Sequence, residues 1–289
     1  MAPISMNIDS HQHFWVFEHA RHDWIDEHMG VLKHDFLPED LASEFDATKI
    51  DASVAVQADQ SERETLFLLD LAKHSTRIAG VVGWVDLASP RIDERLEFFS
   101  GYKKLRGFRH IVQSEPDDDF MLRAEFMRGI SRLQEFGFTY DILIYPRQLP
   151  AAIELVERFP RQRFVVDHLA KPEIKLKNIE AWTAQIRSIA GNTNVYCKLS
   201  GLVTEADWHR WTPLDFDPYL DVVFESFGVD RLMFGSDWPV CLLAASYGQV
   251  KYIVENYVDR KAPAAKDKVF GANAIRFYDL EAFANGLAA

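Results

Sequence analysis

Short runs of apolar, largely β-forming residues recur along the chain, and each run ends in polar or turn-forming residues. They predict eight strands, near Met6–Ser10, Ser53–Gln57, Ile78–Val85, Leu105–Ile111, Thr139–Ile144, Arg163–Asp167, Val195–Leu199 and Arg231–Gly235. Between these runs, apolar residues fall three or four positions apart, which is the spacing of one helix face. Four segments show this clearly: Glu62–His74, Arg123–Phe136, Leu149–Phe159 and Pro218–Phe227. Strand starts recur roughly every 25 to 35 residues, the length of a βα unit.

Eight such units predict an α/β fold with a single (β/α)₈ barrel domain over residues 1–289, since this barrel needs about 250 residues. An open doubly wound sheet is less favoured, because no Gly-rich GxGxxG follows an early strand. The first interval is nearly twice as long as the others. We therefore expect an enlarged loop, Phe14–Lys33, over the barrel mouth, with Trp15 and Trp238 on the walls of a polar pocket.

Composition and charge limit the classes of molecule that could be binding partners. The chain is 48% hydrophobic and 26% charged, as soluble globular proteins are. A formal net charge of −12 without a basic block argues against nucleic acid and anionic membranes as partners. No apolar run reaches the roughly 18 residues of a membrane span, and the N-terminus lacks the features of a secretory signal. Cys197 and Cys241 show no metal-ligand spacing. We expect a cytoplasmic protein.

Two histidines directly follow the first apolar run. Side chains two apart on a strand point to the same face, so His11 and His13 should converge and could share a metal ion or polarise a substrate. An isolated HxH is more often accidental, so the residues at the other strand ends decide whether this pair belongs to a functional site. Ionisable or polar side chains also stand there, where a barrel carries its active site: Gln57, Asp59, Trp84, Asp86, Arg109, His110, Asp141, Tyr145, His168, Lys198, Ser200 and Asp237.

Several of these residues have a purely structural alternative. His110 could be a hydrogen-bonded wall residue, and Lys198 could pair with a neighbouring carboxylate. Asp59 and Asp86 suit helix caps. The two tryptophans, Trp15 and Trp238, could form a platform for a sugar ring or simply pack in the core.

The HxH after the first strand, a His after the sixth and an Asp after the eighth resemble the amidohydrolase superfamily over essentially the whole chain. Five local segments narrow the resemblance: Gly83–Leu87, Gly107–His110, Asp167–Pro172, Lys198–Leu202 and Phe234–Pro239. They are similar to the branch that contains sugar-lactone hydrolases and the pyrone-dicarboxylate lactonase.

The sequence departs from the two-metal pattern of that superfamily, so we expect any metal to be a single ion. The fourth strand lacks a ligand Lys or Glu at its end, and the fifth carries Tyr140 and Asp141 where a ligand His is usual. The implied ligands of one divalent ion, zinc before others, are His11 and His13, with His168 or Asp237 completing the set. Metal-independent action stays open, because the branch tolerates it.

The implied activity is the opening of a small lactone, in particular a sugar (aldono-) lactone, by direct attack of water. Asp237 is the expected general base, with His168 as the second catalytic candidate. The expected substrate-binding residues are Arg109, His110, Trp15, Asp141, Lys198 and Trp238. No GxSxG nucleophile elbow is present, which disfavours an acyl-enzyme.

Other functions remain open at this point. The same barrel could hydrolyse an amide or carry out a metal-dependent non-oxidative decarboxylation, because fold alone does not decide the chemistry. A barrel without catalytic activity that binds a small molecule or a protein is the remaining alternative. We expect a small-molecule lactone as partner; the oligomeric state is open, with a homodimer as one option.

Overall fold

The computed structural model describes residues 6–287, and its centre is one sheet of eight parallel strands in chain order. The strands are β1 (Ile8–Gln12), β2 (Ala52–Val56), β3 (Ile78–Gly83), β4 (Leu105–His110), β5 (Thr139–Ile142), β6 (Phe164–Val166), β7 (Val195–Leu199) and β8 (Leu232–Phe234). All eight predicted strands are present. β1 extends two residues further than expected, so His11 lies within the strand.

The first and last strands meet and bring the sheet to a nearly closed barrel. Near their carboxyl ends, the Asp237 N–H donates to the His11 carbonyl at 2.8 Å, and the His13 N–H donates to the Trp238 carbonyl at 2.7 Å. The Ser10 hydroxyl adds a bond of 2.7 Å to the Phe234 carbonyl. The predicted (β/α)₈ barrel is confirmed, whereas the assignment of residues 1–289 to a single domain stays a prediction.

Helices connect the strands and cover the outside of the sheet. They are α1 (Pro38–Thr48), α2 (Glu62–His74), α3 (Ile92–Ser100), α4 (Ala124–Leu133), α5 (Leu149–Arg158), α6 (Glu180–Ala190), α7 (Leu202–Glu205), α8 (Asp217–Phe227), α9 (Tyr247–Lys261), α10 (Asn273–Phe277) and α11 (Glu281–Leu287). Their packing follows the apolar spacing: α4, for example, buries Phe126, Ile130 and Leu133 on one face. Of the helices within residues 6–287, none is long and apolar enough to cross a bilayer.

Strand residues alternate between the helix layer and the barrel interior, as the pleat requires. On β6, Phe164 and Val166 belong to the large apolar cluster beneath the helices, whereas Val165 joins a second cluster inside the barrel. The same alternation brings two charged side chains, Asp141 of β5 and Lys198 of β7, together inside the barrel, where neither is exposed. The upper interior is therefore polar, and it supports the site described next.

The long connection between β1 and α1 has its own apolar core. Trp15 is fully buried, packs edge-to-face on Phe36 at 5.3 Å and donates its indole N–H to the His34 carbonyl at 3.0 Å. Trp238 is only 3% exposed and contacts Phe36 and Phe14. Neither tryptophan borders the cavity described below, so the prediction that they line the pocket is wrong. Trp15 fills the apolar core of its own segment, and Trp238, which follows β8, packs against two phenylalanines of that segment.

Candidate active site

The two histidines at the end of β1 turn their Nε2 atoms toward each other, 3.2 Å apart. His13 Nδ1 lies 2.8 Å from the Val56 carbonyl, which can only accept, so this nitrogen carries the proton. The Arg109 guanidinium, which can only donate, lies 3.3 Å from His11 Nε2, and the Asp167 carboxylate lies 3.3 Å from His11 Nδ1, where it can accept the ring proton. Two Nε2 lone pairs therefore face each other. Tetrahedral zinc with Zn–N bonds near 2.0–2.1 Å separates its ligand atoms by about 3.3 Å, so the pair fits one metal ion.

The side chains of Asp237 and His168 lie next to these two histidines. The Oδ1 atom of Asp237 lies 3.3 Å from His13 Nε2 and 3.8 Å from the Nε2 atoms of both His11 and His168. His168 is held through Nδ1, which lies 2.8 Å from the Ser200 hydroxyl. The structure thus places the predicted ligands in two overlapping groups, each of which could hold a divalent metal ion: His11 with His13 and Asp237, and His11 with Asp167 and His168.

The protonation states suit this arrangement. Burial lowers the pKa of both His11 and His168 well below the usual range, so each imidazole is neutral at pH 7 and offers a lone pair. Burial alone would raise the pKa of Asp237. Favourable interactions of the carboxylate with His168, His13 and Lys171 outweigh burial and leave the pKa of Asp237 below its usual value. The carboxylate is therefore ionised at neutral pH.

Two glycines allow the backbone to pack against these imidazoles. A Cβ on Gly235 would stand 2.7 Å from the His11 Cβ, and a Cβ on Gly201 would stand 2.7 Å from the His168 ring. Gly201 also has φ +64°, a conformation that side-chain-bearing residues rarely adopt. The ends of β7 and β8 thus fix the positions of His168 and His11 by direct contact.

A layer of buried charges lies directly beneath His11. The Lys198 ammonium is 2.6 Å from Asp141, 3.0 Å from Asp167 and 3.0 Å from His11 Nδ1, and the Tyr278 hydroxyl donates to Asp141 at 2.8 Å. Lys198, Asp141 and Asp167 are fully buried. The predicted substrate contacts of Asp141 and Lys198 are therefore wrong. The structural alternative for Lys198, pairing with a carboxylate, is what the barrel interior requires.

Arg109 connects this layer to the cavity. Its Nη1 atom is 3.0 Å from Asp167 Oδ2, Nη2 donates to the Gln57 carbonyl, and the residue borders the cavity. Its contact with a substrate stays a prediction. Asp167 was not among the predicted site residues. Strand alternation could have found it, because Asp167 lies two positions after the interior residue Val165.

His110 points away from the site. Its Nε2 atom lies 2.7 Å from Glu115, and its ring stacks on Phe120 at 4.7 Å. The alternation on β4 sends Arg109 inward and the next side chain outward. The predicted substrate contact of His110 is wrong, and the alternative of a hydrogen-bonded wall residue holds.

A cavity of about 550 Å³ opens above the four converging side chains, bordered by His13, His168 and Asp237. Trp24 and Trp208 stand on its walls in the places expected for Trp15 and Trp238. Two ion pairs also face it, Arg21 with Asp59 and Lys171 with Glu205. Sequence reasoning missed Trp24, Trp208, Lys171 and Glu205, which lie in connections between strands and helices and follow no strand pattern.

Comparison with known proteins shows the family to which the chain belongs. The sequence matches the Amidohydrolase family over residues 8–280. The chain belongs to the amidohydrolases. As an amidohydrolase it is similar to an L-fucono-1,5-lactonase from Burkholderia multivorans, with 44% identity covering 96% of this chain and 97% of the relative. An L-fucono-1,5-lactonase from Burkholderia ambifaria is 36% identical, covering 96% and 97% of the two chains.

A solved amidohydrolase structure agrees with the site's chemistry. The crystal structure of an amidohydrolase from Burkholderia multivorans with bound zinc has 44% sequence identity and a TM-score of 0.92, covering 95% of this chain and 99% of that one. The expected relationship to the amidohydrolases is confirmed. Metal binding agrees with the donor set on β1, β6 and β8, which suits zinc.

Proposed function

We propose that this amidohydrolase is a lactonase that opens a sugar lactone, with L-fucono-1,5-lactone as the first substrate to test. The main support for this proposal is that three imidazoles and the ionised Asp237 converge at the floor of one cavity. The two curated relatives at 44% and 36% identity, both L-fucono-1,5-lactonases, support the choice of substrate.

The site offers what lactone hydrolysis needs. Water attacks the carbonyl carbon, a C–O bond forms, and negative charge develops on the carbonyl oxygen. Asp237 accepts the proton of the attacking water and returns it to the ring oxygen when the acyl–oxygen bond breaks, so a hydroxy acid is released. Arg109 lies beside His11 and supplies a fixed positive charge. A metal ion bound by His11, His13, His168 and Asp237 would polarise the carbonyl or the water.

Proton release distinguishes this reaction from the alternatives. Each opened lactone yields one carboxylic acid, so we expect acidification of a weakly buffered solution containing L-fucono-1,5-lactone. The matching lactam and an aromatic carboxylic acid test amide hydrolysis and decarboxylation. Turnover of either one, with no acid released from any lactone, would contradict the proposal.

We expect one metal equivalent per chain. Both possible donor groups include His11, and the Lys198 ammonium lies 3.0 Å from His11 Nδ1, so this residue can serve one ion through Nε2. Elemental analysis after purification with zinc should therefore give one zinc ion per polypeptide. Two equivalents would refute this count, and full activity after exhaustive chelation would favour metal-independent action.

We expect Gly201→Ala to lower kcat at least tenfold on L-fucono-1,5-lactone. The added methyl group would stand 2.7 Å from the His168 ring and displace it. Gly137→Ala is a matched control, because Gly137 has φ +77° but open space around its Cβ position. Both variants should lose about 1–2 kcal/mol of stability from the left-handed backbone, and only Gly201→Ala should lose turnover. Equal activities in the two would contradict the contact argument.

A cytoplasmic location and a small-molecule partner belong to the same proposal. Cys197 and Cys241 are both buried free thiols, which suits a reducing compartment.

A further inference from the structure

One ion pair that borders the cavity, Lys171 with Glu205, has no part in the proposed hydrolysis. The Lys171 ammonium lies 3.1 Å from Glu205 Oε1, and the two side chains are 15% and 21% exposed. Both residues border the cavity that contains His168 and Asp237. Half-buried charges at such a place need a structural or a functional reason.

The turn that carries Lys171 has an unusual backbone. His168, Leu169, Ala170 and Lys171 have φ values of 54°, 54°, 56° and 50°, four consecutive left-handed residues without a glycine. Each costs roughly 1–2 kcal/mol relative to ordinary backbone, and such strain concentrates at functional sites. The turn is closed by the Lys171 N–H, which donates to the His168 carbonyl at 2.7 Å. It therefore delivers His168 to the ligand set and Lys171 to the same cavity.

The pair keeps much of its hydrogen-bonding capacity for a ligand. Within residues 6–287, Glu205 is the hydrogen-bond partner of the Lys171 ammonium, and Lys171 that of the Glu205 carboxylate. An ammonium has three N–H donors, and a carboxylate accepts at about four positions. Arg21, which also borders the cavity, differs because its guanidinium is shared among Glu18, Asp59 and Glu64.

We propose that Lys171 and Glu205 together recognise the hydroxyl groups of the substrate, an inference that rests on the proposed lactonase function. Neighbouring hydroxyls of a sugar ring each donate and accept one hydrogen bond or more. Lys171 donates to one hydroxyl oxygen, and Glu205 accepts from the adjacent O–H. Tyr145 borders the same part of the cavity, with its ring 5.6 Å from the Lys171 ammonium. The pair thus acts in substrate choice and leaves the proton transfer to Asp237.

The ion pair determines which lactones the site prefers. A lactone without hydroxyls fills the cavity but leaves the half-buried pair without new partners, and sites built for hydroxyl groups reject analogues that lack them. The pair therefore favours sugar lactones over plain cyclic esters of the same ring size.

The test compares two six-membered lactones, L-fucono-1,5-lactone and δ-valerolactone, which has no hydroxyl groups. The measured quantity is the ratio of their kcat/KM values in Lys171→Met and in Glu205→Gln. We expect each substitution to lower this ratio about 10- to 100-fold, chiefly through a higher KM for the sugar lactone, because a charged hydrogen bond is lost. Lys251→Met is the matched control: Lys251 pairs with Glu255 at 2.8 Å on α9, with 12% and 30% exposure, and should keep the wild-type ratio.

Glu205→Gln preserves the side-chain shape, and its thermal midpoint shows whether the turn stays folded. An unchanged ratio in both variants would overturn the inference. So would an equal fall of kcat on both lactones, which would mean that the pair only holds the His168 turn. Absence of turnover on every lactone by the unsubstituted enzyme would overturn the proposed function, and the inference with it.

Discussion

Asp237→Asn should lower kcat on L-fucono-1,5-lactone by about 10²–10⁴-fold, with little change in KM. Asparagine keeps the size of the side chain and removes the proton acceptor. Few side chains fit this position, because Asp237 is 3% exposed, adopts φ 58° and lies 3.3 Å from His13 Nε2. Steady-state kinetics at saturating lactone give the kcat change directly.

A second measurement separates the two roles that Asp237 is expected to have. As a metal ligand it would retain zinc, and as a base it would accept a proton. Elemental analysis of the Asn variant should be made on the sample used for kinetics. Lost turnover with zinc retained supports the base, and lost zinc supports the ligand role. Near-normal kcat in a stable variant would show that the base lies elsewhere, with His168 as the next candidate.

The barrel could be predicted because its strands are short and apolar and, after the first long interval, recur at the spacing of a βα unit. The shift of β1, from the predicted Met6–Ser10 to Ile8–Gln12, has a physical cause. Asp9 and His11 are polar, so the apolar pattern stops early, yet both are fully buried. Asp9 accepts hydrogen bonds from the Ser236 N–H at 2.9 Å and the Tyr247 hydroxyl at 2.9 Å. Partners more than two hundred residues away in the sequence made a polar strand residue possible.

One part of the candidate site could be predicted from the sequence, and another part could not. His11, His13, His168 and Asp237 follow from strand ends in a barrel, and the structure brings them together. The residues on the cavity walls could not be predicted from any periodic pattern in the sequence. Lys171, for example, reaches its place through a left-handed turn, and no local propensity of Leu169 or Ala170 signals that conformation.

The aromatic residues of the first loop show a related difficulty. Trp15 and Trp24 lie nine residues apart in one irregular segment, yet the first is fully buried and the second borders the cavity. Their rings contact each other edge-to-face at 5.9 Å. Which member of such a pair faces a ligand depends on the path of the loop, which composition does not encode.

Lys198→Met should lower the free energy of unfolding by about 3–5 kcal/mol, because removing one partner of a buried ion pair leaves uncompensated charge. Lys198 is fully buried and lies 2.6 Å from Asp141 and 3.0 Å from Asp167, both also fully buried. Methionine fills a similar volume and leaves two carboxylates with less compensation beneath His11. Urea denaturation followed by circular dichroism measures the difference from the unsubstituted protein.

The control for this prediction is again Lys251→Met, whose partner Glu255 is 30% exposed. An ion pair near the surface contributes up to about 1 kcal/mol, so this variant should unfold close to the unsubstituted protein. The sequence alone suggested that Lys198 binds substrate. If that were its main role, Lys198→Met would keep its stability and raise KM for L-fucono-1,5-lactone. That outcome would contradict the structural role, because losing the cation that Asp141 and Asp167 share leaves buried negative charge with less compensation, at a cost to folding.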